Sequence, residues 1–284
     1  MSLGTRDGMH TELDDFRRLA MLVEYDGAGY HGFQAQDNAT SVQETLEEAI
    51  FRLTGERLRI KGAGRTDAGV HAKEQVVAFD TWATYAPEVF VQAINSYLPG
   101  DISIKDAQEV SLDFDPRRGA ISREYRYQIF NSATPSPLLQ GFVHHIRQPL
   151  DIEAMMEAAK LLEGEMDFAP FASVSSDGWV NTRRVVFKCS ISSNKNMVFL
   201  DMVANGFLRQ QVRRTAGALL EVGLGRLDLH GFMDLAKCGK LGAVTWVLPA
   251  KGLTLMKVNY PIQVFSYSKT VDVREHAIVE VSAV

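Results

Sequence analysis

The chain has 284 residues, 46% of them apolar, and a formal charge of −5 from 30 basic and 35 acidic side chains. Such a chain can bury a substantial core as one large or two small domains. Its opening Met-Ser-Leu-Gly-Thr-Arg-Asp lacks the apolar stretch of a secretory signal, and no apolar run nears the roughly eighteen residues of a membrane span, so neither is expected.

Residues 1–19 are polar and read as a loose N-terminal extension. Met21 to Tyr25 reads as a strand stopped by Asp26-Gly27. Ser41-Val42-Gln43-Glu44 fits a capping box. Val42, Leu46, Ala49, Ile50 and Leu53 follow at helical spacing, and Gly55 ends the helix. Gln75 to Thr81 alternates like a strand. Pro87 opens a second helix with Phe90, Ala93, Ile94 and Tyr97 on one face, stopped by Pro99-Gly100. Strands at about 102–110 and 121–130 close this half.

The turn-rich 131–140 separates the halves. A strand near 142–146 precedes a helix capped by Asp151, with Ile152, Met155, Ala159 and Leu162 facing inward and Gly164 past its end. The methionine pair reads as core filling. Strands at 183–192 and 196–204, a helix at 206–222, a short helix near 230–238 and a strand at 252–259 complete the second half. The halves are therefore 20–130 and 131–261, followed by a tail at 262–284. Both carry strands and helices in similar order, which suits an α+β fold with a shared antiparallel sheet.

The two cysteines, Cys189 and Cys238, have no metal-binding or C-x-x-C spacing and are expected as free buried thiols in a reducing cytoplasm. No histidine set suits a metal, since the adjacent His144 and His145 diverge on a strand. The acidic total works against a simple nucleic-acid reading. Exposed charges, however, are screened beyond roughly 8 Å, so local clusters matter more. Basic residues gather at Arg52–Arg65, at Arg117, Arg118, Arg123 and Arg126, and at Arg209, Arg213 and Arg214.

Chemistry is expected at Gly62 to Ala72, Gly-Ala-Gly-Arg-Thr-Asp-Ala-Gly-Val-His-Ala, which has three glycines and almost no bulky apolar side chain. Glycines permit positive φ and close backbone approach. Arg65 and Asp67 are two residues apart, so an extended backbone would point them to one side, where the cation would favour an ionised carboxylate. The loop has three readings. It is a plain turn capped by Asp67, a phosphate cradle, or a catalytic aspartate. The glycine spacing is not G-x-G-x-x-G, and Val70-His71 stands where a P-loop needs Lys and Ser/Thr.

Gly64-Arg65-Thr66-Asp67-Ala68-Gly69-Val70-His71 resembles the signature of the TruA-type tRNA pseudouridine synthases. Tyr25-Asp26-Gly27, Gly32-Phe33-Gln34 and Ser41-Val42-Gln43 resemble that family's N-terminal segment. Arg123-Glu124-Tyr125-Arg126-Tyr127 resembles its tyrosine strand. Asn205-Gly206-Phe207-Leu208, Val212-Arg213 and Glu221-Val222-Gly223 resemble its C-terminal helix, and Lys251-Gly252-Leu253 with Tyr260-Pro261 its closing strand.

The resemblance implies the pseudouridine synthase fold, two ferredoxin-like halves sharing a mixed, mostly antiparallel sheet with a central cleft. It implies conversion of uridine to pseudouridine on the 3′ side of the tRNA anticodon arm, with no cofactor and no metal, by a cytoplasmic homodimer that binds tRNA and no membrane. Asp67 would be the nucleophile, toward ribose C1′ or uracil C6. Tyr125 would stack on the uracil or also take its C5 proton, and Arg213 would hold the carboxylate ionised. Arg65 would pair with Asp67 or fill the gap left by the extruded base. Arg117 and Arg126 would contact RNA, and Arg214 would face RNA or water. His71 reads as a hydrogen-bonded structural residue.

Two departures stand out. Asp115 occupies a position where the family often has His, which places a negative charge beside the presumed RNA path. Phe33 stands where Trp is common. The alternatives are a non-catalytic RNA-binding module and an N-glycoside hydrolase, for which Glu74 is the only nearby second carboxylate.

Overall fold

The computed structural model describes residues 16–37, 39–173 and 181–265. Most of the two predicted extensions, residues 1–15 and 266–284, lies outside the described residues. Within the described part, β1 (Arg17–Tyr25) already begins at Arg17. Arg18 is held there by a two-pronged ion pair to Asp80 on the neighbouring strand. The predicted extension thus ends earlier than residue 19.

The first half runs β1, α1 (Val42–Thr54), β2 (Lys61–Gly62), β3 (His71–Thr81), α2 (Pro87–Tyr97) and β4 (Ile102–Val110). Ser41 and Glu44 exchange the reciprocal bonds of a capping box, and Gly55 closes α1 in the left-handed conformation. Pro87 starts α2 without a side-chain cap. Phe90 and Ile94 are buried on its inner face, while Tyr97 is exposed. The strand order is β4-β1-β3, and β2 lies antiparallel on β3. This is the βαββαβ plan of a ferredoxin-like unit, with a very short second strand.

The second half repeats that plan. It runs β5 (Ser122–Asn131), β6 (His144–Ile146), α3 (Ile152–Lys160), β7 (Gly164–Asp167), β8 (Arg183–Asn194), β9 (Met197–Ala204), α4 (Gln211–Gly223), α5 (Leu229–Lys237) and β10 (Leu253–Asn259). Its strand order is β10-β5-β9-β8-β7. The strand at 122–131 therefore opens the second half topologically, where the sequence suggested that it closed the first. Gly164, expected only beyond a helix end, starts β7 at φ +99°.

The halves join through two parallel pairs, Thr254 with His71 and Leu255 with Ala72. All other pairings except β5–β6 are antiparallel. One continuous apolar cluster runs from Leu19 and Met21 through Tyr127 and Leu255 to Leu219 and Phe232. Cys189 lies within it, whereas Cys238 is exposed, contrary to expectation.

The largest departure is α4, which begins at Gln211 rather than near 206. Asn205 accepts a bond from the Val185 amide through its side chain, and Gln210 adopts φ +61°. The Gln211 side chain accepts from the Leu208 amide. These contacts hold 205–210 as a turn.

Candidate active site

The outer edge of β3 is shared. Gly62 pairs with Val77 toward one end and Leu255 with Ala72 toward the other. Residues 63–70 leave the sheet between these two pairings, so the loop rises at the seam between the halves. Its frame is anchored on both sides of Asp67. The Ala63 amide donates to Val76 O at 2.8 Å, and Gln75, fully buried, donates its side-chain amide to Gly64 O at 3.0 Å. Thr66 is buried, with Oγ1 2.8 Å from the Tyr25 hydroxyl. The Phe33 amide donates to Thr66 O at 3.1 Å. Gly32, at φ +100°, lets these chains approach, because a Cβ there would lie 2.7 Å from Thr66 O.

Asp67 O accepts the Val70 amide at 3.1 Å, and Gly69 takes φ +77°. The backbone is therefore a turn at Asp67. The expected Arg65–Asp67 pairing is not the one the structure makes. Arg65 is exposed. The ion pair of Asp67 is instead with Arg213, 146 positions away, at 3.1 Å between Oδ2 and Nη1. Arg213 also donates Nε to Leu248 O at 2.8 Å. Its side chain is 15% exposed and that of Asp67 27%. The carboxylate is thus clamped from the second half yet still open to solvent.

Tyr125 completes the group. It projects from β5 on the same face as Tyr127 and Ile129. Its hydroxyl lies below the loop, 3.8 Å from where a Gly64 Cβ would stand. Its ring meets Phe207 edge to face at 5.1 Å. Burial pushes the phenol well above its ordinary range, and nearby Tyr25 and Asp67 add to that rise while Arg123 opposes it. The ring is a neutral, buried aromatic surface beneath the loop. Tyr127, wholly buried, donates to Pro249 O at 2.8 Å and belongs to the core.

The other expected residues fall in different places. Arg126 points away from Tyr125, paired with Asp201 at 2.7 and 3.1 Å and lying over the Phe199 ring. Arg117 is exposed on the loop before β5. Asp115 accepts the amides of Arg117 and Arg118 at 2.9 and 2.8 Å, so its carboxylate shapes that turn. The Arg118 amide bond is the main cause holding its pKa below the usual carboxylate range. Arg214, expected to face RNA or water, is partly buried and bonds Val244 O and Gln210.

His71 is 3% exposed. Its Nε2 lies 3.2 Å from both Gly141 O and Lys251 O, and Nδ1 lies close to the Gly27 amide and Asp26. Thr66, Gln75 and Phe207 carry the loop and the tyrosine. The one local sign of that work was Gln75, a polar side chain at an inward strand position. Among the described residues no group of three or more His, Cys, Asp or Glu side chains could hold a metal ion.

A family model described as tRNA pseudouridine synthase matches residues 21–117 and 158–261. The chain belongs to that family. It is similar, at 40% identity over 86% of its length, to the tRNA pseudouridine synthase A of Pelobacter propionicus, all of which is covered. The tRNA pseudouridine synthase A of Syntrophomonas wolfei is also 40% identical over 86% of the chain, with 98% of the relative covered. That of Roseiflexus castenholzii is 42% identical over 86% of the chain, with 91% covered. The protein is thus an isomerase of tRNA uridine. Asp67 and Arg213 lie within the two matched stretches of the family model, and Tyr125 lies between them.

Proposed function

We propose that Asp67 is the nucleophile of this pseudouridine synthase and that its target is a uridine on the 3′ side of the tRNA anticodon arm. The observation that carries the reading is the clamped, partly exposed Asp67 carboxylate, held by Arg213 across the seam and flanked by the buried face of Tyr125. The C1′–N1 bond breaks, the base turns, C5 bonds to C1′, C5 loses its proton, and N1 gains one, so the product is an isomer of the substrate. A carboxylate that adds to C1′ or to uracil C6 and is later released makes this a two-stage substitution. Arg213 orients that carboxylate. Tyr125 stacks on the extruded uracil, a contact worth about 1–3 kcal/mol. Arg65 and Arg117, both exposed, face the RNA.

The enzyme acts in the cytoplasm as a homodimer, in which two sets of cationic residues meet one tRNA. A mass measurement in solution checks the dimer. N-glycoside hydrolysis would need a second carboxylate in the cleft. Glu74 does not supply it, because Gln75 points at the loop and Glu74 therefore faces the other side of β3.

The decisive experiment maps pseudouridine in tRNA from cells lacking the protein, from cells carrying it, and from cells carrying Asp67→Asn. The variant is expected to fold, because the amide oxygen of Asn can still accept from Arg213, and to leave the anticodon-arm site as uridine. Near-normal modification by Asp67→Asn, or its failure to fold, would remove Asp67 from the reaction.

A further inference from the structure

Arg123 stands two residues before Tyr125 on β5 and points to the same face. All four of its hydrogen bonds go to main-chain carbonyls. Nη2 donates to Ala63 O at 3.0 Å and Arg117 O at 2.5 Å, and Nη1 donates to Asn205 O at 3.1 Å and Ala120 O at 3.4 Å. Among the described residues no carboxylate pairs with it. Burial depresses its ionisation below the usual arginine range. A half-buried cation usually recovers its desolvation cost from an opposite charge, and here main-chain carbonyls do so.

The acceptors belong to three segments that meet at the site. Ala63 immediately precedes Gly64 and the Asp67 turn. Asn205 opens the turn that carries Phe207 against Tyr125 and leads into α4 with Arg213. Arg117 and Ala120 lie in the loop before β5. One guanidinium therefore spans both walls of the cleft and its rim. Its planar fork sends donors in fixed directions, which a lysine ammonium cannot reproduce.

We propose that Arg123 is a positioning residue for the isomerisation. By bonding Ala63 and Asn205 at once, it sets the spacing of Asp67, Arg213 and Tyr125. The proposal rests on the function assigned above. It predicts a loss in the chemical step, because a displacement of about 1 Å at reacting groups costs on the order of a hundredfold in rate.

The experiment uses the full chain and an unmodified tRNA transcript, with wild type, Arg123→Lys and Arg123→Met compared. Four quantities are measured, namely kcat at saturating tRNA, KM, tRNA affinity by filter binding, and thermal midpoint. In Arg123→Lys the fold and the charge are expected to survive, with tRNA affinity within about threefold of wild type. Its kcat is expected to fall on the order of a hundredfold, and that of Arg123→Met at least as far.

The proposal is overturned by a folded Arg123→Lys whose kcat stays near wild type. It is overturned as well by a loss of tRNA affinity that accounts for the whole fall in kcat/KM, which would make Arg123 an RNA contact. Unfolding of both variants would make it a stability residue and would also overturn the proposal. A wild-type protein that binds the transcript without making pseudouridine would sink the functional reading itself, an outcome visible before any variant is tested.

Discussion

Glu74 is adjacent in sequence to a residue that braces the Asp67 loop, yet it serves a different surface. It lines a depression with Leu22, Lys257, Tyr260 and Phe265 on the face of the sheet away from Asp67. Burial raises its pKa above the ordinary glutamate range, and Lys257 only partly offsets this. The folded state therefore holds its proton to higher pH than the unfolded chain does. Where the native state binds more protons, stability falls as pH rises. The penalty is absent below the unfolded value and complete above the raised folded one. Glu74→Gln is accordingly expected to raise the thermal midpoint at neutral pH and to leave it unchanged near pH 3, where the glutamate is protonated in both folded and unfolded states. Thermal melts of both proteins across that range check it. A gain that persists unchanged in acid would show that shape, not charge, is responsible. The same scale shows where residue spacing misleads. Arg65 sits two places from Asp67 but is exposed, and the partner of the Asp67 carboxylate comes from 146 positions away.

Among the elements, α1 and α4 mark the limits of what the chain reveals locally. The start of α1 was legible because its chemistry is contained in four residues, Ser41 to Glu44, and the structure shows both bonds of that box. Ser41→Ala is expected to cost about 1 kcal/mol, within the usual 0.5–2 for a lost N-cap. Urea denaturation measures the change, and a difference below the resolution of that method would mean that the box adds nothing here. The start of α4 was not legible. Its apolar spacing continues back toward Phe207, but Asn205 is committed to the Val185 amide and Gln210 to a left-handed backbone. Both commitments depend on tertiary neighbours. The candidate site divides in the same way. Asp67, Tyr125 and Arg213 could be named from motif residues, whereas the braces at Thr66 and Gln75 and the fork of Arg123 became apparent only when distant segments met. Arg126 has the opposite history. It looked available for RNA, but β9 supplies Asp201 directly beside it.

At the scale of the whole molecule, the active group exists only because two ferredoxin-like halves share one sheet. Asp67 belongs to the first half, and Tyr125 and Arg213 belong to the second. The join is short in backbone terms, two parallel residue pairs between β3 and β10. It is reinforced by His71 bonding Lys251 O and by an apolar cluster that continues from Val77 and Ala72 into Leu255 and Tyr125. If that cluster couples the halves, neither should unfold alone, and the transition should be all-or-none despite the repeated topology. Trp82 meets Phe16 edge to face at the outer end of the first half, and Trp246 lies against α4 in the second, beside Gly217. Variants that retain only Trp82 or only Trp246 are expected to give coincident urea midpoints and slopes by fluorescence, matching the loss of helix signal. Because self-association would raise the midpoint with protein concentration, the comparison is made at one concentration and repeated at a tenfold dilution. Midpoints that separate would mean that the seam is a weak contact between two independently stable units. The Asp67–Arg213 clamp would then be set by tRNA bridging the halves, since the sheet would no longer hold it in place.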